Sequence, residues 1–376
     1  KGTGSMATPT SNSVPWSIVD GSTVGDAQYL IAGTKWGAGG LGTGVTLTYS
    51  FIHTGAGTFI GGYGDGESGS YSALDAMSQA ATRSALVAWS SVAGLSWVQA
   101  PDNASVVGEL RFGMSDIVGV GAAAHAYYPG GYVEAGDVWI NPTYWNNDGG
   151  GIARGSFDFL VLLHEIGHSL GLKHAFEDAP IIPAQFDSYK YTVMSYTAWT
   201  GSGDNYASFY PTTPMYYDIL AMQALYGVKA FQTGNNVYAF NQGTAYFQTI
   251  YDSGGTDGII FNGTRACVIN LNNGAFSSLS DPIFFNNSVS SNATVCIGPN
   301  TVIENATGGS GNDLIVGNAA NNQLIGGLGA DDMFGGAGND IYSVDNARDI
   351  VTENANAGTD TIRTSVTLTL RDNFEN

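Results

Sequence analysis

The sequence predicts two domains of different class: an α/β layer over residues 1–230, then an all-β parallel β-roll over 231–376. Three observations carry this. Strand and helix periodicities are interleaved before about residue 230, and helical periodicity vanishes after it. One thirteen-residue run, 164–176, sets three histidines at helix-and-turn spacing. Beyond residue 300, glycines, aspartates and single apolar residues recur every nine positions.

The length, 376 residues, exceeds what one core usually serves. No apolar run approaches the length of a membrane span. Lys plus Arg number 12 against 32 acids, a net charge of −20, which argues against nucleic acid and anionic membrane as partners. The acids either solvate a surface or collect cations, and the repeats favour cations.

In the first domain, Val45–Phe51 alternates, with Val45, Leu47, Tyr49 and Phe51 on one face of a half-buried strand. A helix over 73–93 follows, with Leu74, Met77, Ala81, Ala85 and Trp89 facing inward and Gly94 ending it. Segments 95–98, 109–114, 123–128 and 136–140 read as short strands bounded by Gly or Pro. A second helix enters through the very apolar 159–163, with Ser156 or Asp158 as N-cap. A third, over 215–226, carries Ile219, Met222 and Leu225 and stops at Gly227. Strand, helix, four strands and a motif helix describe an α/β layer with the histidines at the sheet's edge.

The motif helix reads His164-Glu165-Ile-Gly-His168-Ser-Leu-Gly171-Leu-Lys-His174, that is H-E-x-x-H-x-x-G-x-x-H. Residues four apart stack on one helix face, so His164 and His168 reach one metal. Glu165 lies one position round, where its carboxylate meets a water rather than the metal. Gly171 can take positive φ, stop the helix and let His174 return as a third imidazole. Three neutral nitrogens with an open fourth position make a catalytic zinc site, not a closed structural one. His53 and His125 read as ordinary polar or core residues.

In the second domain, 308–313, 326–331 and 335–340 share one frame, and 317–322 is a worn copy. The apolar position falls at Ile315, Leu324, Met333, Tyr342 and Val351. This is the calcium-binding β-helix repeat: glycines expose turn carbonyls and aspartates add hard oxygens, through Gly326, Gly327, Gly329 and Asp331, then Gly335, Gly336, Gly338 and Asp340. Without calcium these aspartates repel, so folding of the domain is expected to be driven by calcium. Cys267 and Cys296 are either two buried thiols or one bridge, and a secreted protein favours the bridge.

These residues together resemble a serralysin, a metzincin-type zinc endopeptidase exported by Gram-negative bacteria. The resemblance covers most of the chain. It extends to Val193-Met194-Ser195-Tyr196, similar to the family's Met-turn, to Leu225-Tyr226-Gly227, and to Val302-Ile303-Glu304-Asn305 before the first repeat. It implies a twisted, mostly parallel five-stranded sheet with the active-site helix, and an RTX parallel β-roll. Met194 would form an apolar floor under the histidines. Tyr196 would be an extra, switchable zinc ligand that stabilises the oxyanion in turnover, the alternative being a plain core tyrosine. The resemblance also implies calcium ligands at Gln232, Gly234 and Asn236 with Asp252, Gly254, Gly255 and Asp257, then at Val302, Glu304, Gly309, Gly311 and Asp313. Gly136, Asp137, Val138 and Trp139 resemble the edge strand that pairs an extended substrate.

The implied activity is peptide-bond hydrolysis with Glu165 as general base, one zinc and several calcium ions. Protein substrates, type I export, a monomer and a small inhibitor protein from the producing bacterium go with it. Three departures stand out: Ala175 where the family has proline, Asn236 where it has threonine, and the two cysteines. No secretory signal peptide opens the chain, Lys1–Met6 reads as an expression scar or a processed terminus, and no C-terminal export signal is recognisable before Asn376, as in a trimmed or artificially truncated chain. The rival reading is an exported calcium-roll binding or adhesion protein whose protease part has decayed. The intact ligands, base and Met-turn weigh against it.

Overall fold

The computed structural model describes residues 8, 11–53, 59, 63, 66–116, 121–146, 152–201, 204–285 and 289–369. Lys1–Met6 and Asn376 lie outside them. The chain divides into two units, 1–205 with 210–229 and 206–209 with 230–376.

In the first unit, β1 (Trp16–Ile18) and β2 (Thr34–Trp36) form an antiparallel pair. The main sheet contains β3 (Val45–Phe51), β4 (Tyr71–Ser72), β5 (Leu95–Gln99), β6 (Leu110–Ser115), β7 (Ala124–Ala126) and β8 (Val138–Ile140). Its order is β5-β3-β6-β8-β7, with β4 pairing β6. Strands β5, β3, β6 and β8 run parallel, and β7 is antiparallel to β8. Five strands, mostly parallel, are as expected; the two-residue β4 was not foreseen.

Helix α1 (Ala76–Val92) starts where Asp75 accepts the Ser78 N–H at 2.7 Å. Ala81, Ala85 and Trp89 face inward as their spacing implies, whereas Met77 is exposed and Leu74 is buried before the helix starts. The helix ends at Val92, because Gly94 must pack its backbone against Tyr226, whose carbonyl oxygen lies 2.3 Å from where a Cβ would sit. Helix α2 (Phe157–Ser169) is capped by Ser156, whose hydroxyl accepts from the Phe159 N–H, so Asp158 is not the cap. Trp89 Nε1 donates to Leu163 O at 3.1 Å and fastens α1 to α2. Helix α3 (Tyr216–Tyr226) buries Ile219, Met222 and Leu225.

One expectation is overturned. Gly136, Asp137, Val138 and Trp139 do not lie at the sheet edge, because β8 is flanked by β6 and β7. Asp137, Val138 and Trp139 are all buried, and Asp137 accepts from the Tyr63 hydroxyl. The physical reason is the turn at 129–135, which adds the antiparallel β7 outside β8. An unbroken apolar Val138-Trp139-Ile140 run without alternation is an interior strand's pattern.

The second unit is all β. Parallel strands β9 (Val237–Asn241), β11 (Gly258–Asn262), β15 (Asn305–Thr307), β17 (Gln323–Ile325), β19 (Ile341–Val344) and β21 (Thr361–Thr364) make one sheet. Parallel β12 (Val268–Asn270), β16 (Leu314–Val316), β18 (Asp332–Phe334) and β20 (Ile350–Thr352) make the second. Successive nonapeptides alternate between the sheets, and Ile315, Leu324, Met333, Tyr342 and Val351 fill the space between them. An antiparallel pair, β13 (Phe276–Phe285) and β14 (Val289–Ile297), with β10 (Gln248–Ile250) parallel to β14, forms a third sheet that the repeat frame does not announce.

The expected bridge between Cys267 and Cys296 is absent: both are buried free thiols. Cys296 lies opposite Phe276 and Thr249, while Cys267 leads into β12, whose partner is β16. The strand that Cys267 leads into and the strand that holds Cys296 therefore do not pair with each other.

Candidate metal centre

Helix α2 runs without a break through His164 and His168, then stops at Gly171. There φ is +103°, and a Cβ would meet Thr34 O at 2.2 Å, so only glycine permits this close reversal. The chain doubles back and delivers His174. The three Nε2 atoms form a triangle of 3.0, 3.1 and 3.2 Å. Such a spacing suits three bonds of about 2.0–2.1 Å to one tetrahedral zinc.

Two of the imidazoles are hydrogen-bonded through their other nitrogen, and the third has a carboxylate close to its own. His164 Nδ1 donates to Val193 O at 2.8 Å, His168 Nδ1 donates to Leu172 O at 2.7 Å, and His174 Nδ1 faces Glu177 Oε2 at 2.6 Å. Partners of this kind fix the tautomer that leaves Nε2 free for a metal. Burial lowers His164 to about 3, with His174 adding repulsion, and holds His168 well below the ordinary histidine range, so both rings are neutral ligands.

Glu165 is buried, and its Oε2 has no hydrogen-bond partner. Burial raises its carboxyl to about 8. An orphaned carboxylate oxygen beside three converging imidazoles is what a general base awaiting a water would present. Met194 is fully buried under α2, its Sδ 2.7 Å from where a Cβ on Gly167 would sit. Tyr196 is 55% exposed, so it is no core tyrosine. Its ring lies 4.6 Å from that of His174 and 5.4 Å from that of His164. Burial of its base, with Glu165 and Glu177 nearby, pushes the phenol up to about 12, so it is protonated and can donate.

A cleft of about 740 Å³ opens from His164 and Glu165 and is lined by Leu160, Val161, Tyr189, Val193 and Tyr196. Its upper rim is 121–124, leading into β7. Ala123 O accepts from Asn141 N and Tyr127 N donates to Asp137 O, both toward β8. By alternation the amides of Ala124 and Ala126 point away from the sheet. Thus β7, not β8, offers the free edge.

The second unit brings most of the expected calcium ligands together. Asn236 N donates to Asp257 Oδ1 at 2.7 Å, Gly254 N donates to Asp252 Oδ1 at 3.0 Å, and Asp257 N donates to Glu304 Oε2 at 2.7 Å. Gly255 packs against the Gly234 carbonyl, and Gln232 takes a positive φ of 54°. Among the described residues no hydrogen bond ties Val302 to this group, and its side chain is 51% exposed.

In the roll the aspartates form a ladder. Cys267 N donates to Asp313 Oδ1, Asp313 N to Asp331 Oδ1, Asn322 N to Asp340 Oδ1, Asp331 N to Asp349 Oδ1 and Asp340 N to Asp360 Oδ1. Gly309 N donates to Asp313 Oδ2 at 2.6 Å. The second oxygens of Asp257, Asp331 and Asp340 are buried without a partner. Gly327 and Gly329, at φ 89° and 138°, let the carbonyls of Gly309 and Gly311 approach closely from the preceding turn; Gly336 and Gly338 stand likewise against Asn318 and Ala320. Orphaned carboxylate oxygens beside exposed turn carbonyls fit calcium. Burial first, then neighbouring carboxylates, raises Asp331 to about 7 and Asp340 to about 6.

Three carboxylates of this ladder escaped the sequence reading: Asp349, Glu353 and Asp360. Oxygens of Asp340, Glu353 and Asp360 lie within 4.8 Å of one another. Asp349 keeps the eighteen-residue step from Asp331, which frame counting could have found; Asp360 is displaced by two residues from that step.

The imidazole triad, the buried acid and the carboxylate ladder are the features expected of a metallopeptidase domain followed by a calcium-binding roll, and comparison with known proteins agrees. The matrixin family profile matches residues 70–195, and the RTX calcium-binding nonapeptide repeat matches four copies over 307–342. Similar proteins include Serralysin C of Dickeya chrysanthemi, 34% identical over 77% of this chain and 62% of that protein. Serralysin of Photorhabdus luminescens is 32% identical over 68% and 55%. Metalloprotease AprA of Pseudomonas entomophila is 33% identical over 79% and 64%. The chain thus spans roughly three-fifths of the length of these relatives. It combines a matrixin domain, which implies catalytic zinc, with RTX repeats, which imply calcium, and its homologues are serralysins and AprA proteases.

Proposed function

We propose that the chain is a zinc-dependent endopeptidase that acts on extended segments of extracellular proteins. The observation that carries this reading is the convergence of three imidazole Nε2 atoms, 3.0–3.2 Å apart, beside the unpartnered Glu165 oxygen.

His164, His168 and His174 would hold the zinc. The metal, when bound, supplies a Lewis acid that polarises a carbonyl and acidifies water. Glu165 takes the proton of the attacking water and passes it to the leaving amine; its raised pKa suits both transfers near neutral pH. The Tyr196 hydroxyl donates to the oxyanion as it develops. The outward amides and carbonyls of Ala124 and Ala126 pair with the substrate backbone, so that β7 gains a strand. The cleft behind Glu165 receives a substrate side chain.

The roll is proposed to fold as calcium fills the oxygens left by Asp257, Asp331 and Asp340, with Asp313 in the same ladder, which ties folding to the calcium-rich exterior. Export by a type I route from a Gram-negative cell, action as a monomer and control by a small inhibitor protein complete the reading.

Casein hydrolysis by zinc-loaded protein, with and without 1,10-phenanthroline, tests it. Turnover abolished by the chelator and restored by zinc is the expected result. A folded, zinc-bearing protein that cleaves no protein substrate would make this a calcium-roll binding protein.

A further inference from the structure

Ala175 is pinned on both sides: its N–H donates to Met194 O at 3.3 Å and its carbonyl accepts from Ile182 N at 2.9 Å. Its side chain is fully buried, which sends the next side chain, Phe176, outward on the same side as His174. The Phe176 and His174 rings are stacked, 5.1 Å apart and 5° from parallel. Tyr196, arriving from the Met-turn, closes the group, its ring 5.0 Å from Phe176 and 4.6 Å from His174. With more than half its surface exposed, Tyr196 owes the placement of its ring to these aromatic neighbours and to His164. Phe176 is the one member of the group that neither binds metal nor donates a proton. It is itself 38% exposed.

We infer that Phe176 is a positioning residue: by stacking on His174 and bracing the Tyr196 ring, it holds the phenol over the reacting carbonyl. This inference rests on the proposed peptidase activity. An exposed phenylalanine has a cost in solvation, and a planar, nearly parallel contact on a ligand ring gives it a use. The brace acts on the rotational freedom of Tyr196, so its effect should appear in kcat and not in substrate or zinc binding.

The test compares Phe176→Ala, Phe176→Leu and Phe176→Tyr in zinc- and calcium-loaded full-length protein, alone and combined with Tyr196→Phe. Phe176→Ala should lower kcat on a short peptide about tenfold, the worth of one aromatic pair, with KM within about twofold. Phe176→Tyr should restore it and Phe176→Leu should not. In the Tyr196→Phe background, Phe176→Ala should cost nothing further. Zinc affinity, read by competition with a chromophoric chelator, should hold within about threefold.

An unchanged kcat, an equal loss in both backgrounds, or a loss explained by zinc release would each overturn the inference. A readout without turnover separates it from the peptidase reading. The Tyr196 ring resonances in tyrosine-labelled protein should move toward free-tyrosine positions in Phe176→Ala, and unmoved resonances would sink the brace. Protein that holds zinc and cleaves nothing would sink the peptidase reading while those resonances still decide the brace.

Discussion

Asp218 and His164 are joined through a single residue, Val193. The Asp218 carboxylate accepts from Val193 N at 2.8 Å, and the carbonyl of the same residue accepts from His164 Nδ1 at 2.8 Å. Asp218 also takes the Thr192 hydroxyl at 2.6 Å and Met215 N at 2.8 Å. One fully buried carboxylate on α3 thus fixes the turn whose carbonyl orients His164.

Removing that acceptor leaves three buried donors without a partner, each worth about 1–3 kcal/mol. Asp218→Ala should therefore lower stability by about 3 kcal/mol or more, and Asp218→Asn by less, because one amide oxygen remains. Through His164, zinc affinity should fall about tenfold, the usual size of an outer-shell effect. Urea unfolding and chelator competition read the two effects separately. An Asp218→Ala variant that folds with wild-type zinc affinity would show that Val193 transmits nothing.

The same carboxyl gives a pH signature. Burial raises Asp218 to about 7, above its unfolded value near 4. A group raised on folding contributes stability that is complete below the unfolded pKa and is lost as pH rises through the folded one. The stability of wild type relative to Asp218→Asn should therefore decline from about pH 4 to pH 7 and then level off. Urea midpoints of both proteins at fixed calcium and zinc would show this, and a difference that grows with pH would contradict it.

What the sequence discloses follows from the range of the interactions. The imidazole triad depends on helix spacing and one glycine, all within 164–174, and the roll core depends on a nine-residue frame. Both are local, and both are legible. The order of β7 and β8 is set by hydrogen bonding across a turn; the apolar run 138–140 marks β8 as interior but does not say which strand covers it. Asp218 is absent from any motif in the sequence; its position three residues past Met215 hints at a cap, but its hold on Val193 exists only in the fold. Asp360 was hidden by the two extra residues that break the frame.

Glu165→Gln keeps the shape of the side chain and removes its basicity. The variant should fold and retain zinc, since the three imidazoles are untouched, and lose about 10²- to 10⁴-fold in kcat. Metal analysis beside the rate measurement separates base from ligand. A variant that turns over within tenfold of wild type would assign the proton transfer elsewhere.

Ala124→Pro tests the edge. Its amide points out of the sheet, so proline there removes a bond to substrate and none to β8, and edge strands tolerate proline. The expected outcome is a loss of about tenfold or more in kcat/KM for long peptides with a smaller loss for dipeptide-sized esters. Equal losses on both would mean that β7 shapes the site without pairing the substrate.

Calcium removal should bring out the charge of the roll. Asp331 and Asp340, raised to about 7 and 6, follow the same sign as Asp218: without calcium their contribution is present at low pH and lost as pH rises through 6 to 7. In EDTA the strand signal of the roll should therefore be stronger at pH 5 than at pH 7.5. With millimolar calcium the order reverses, because the cation requires the ionised carboxylates that repel one another in its absence. Circular dichroism across this pH range, with and without calcium, distinguishes the two regimes. A calcium-free roll that gains structure as pH rises would place the repulsion among groups other than these aspartates.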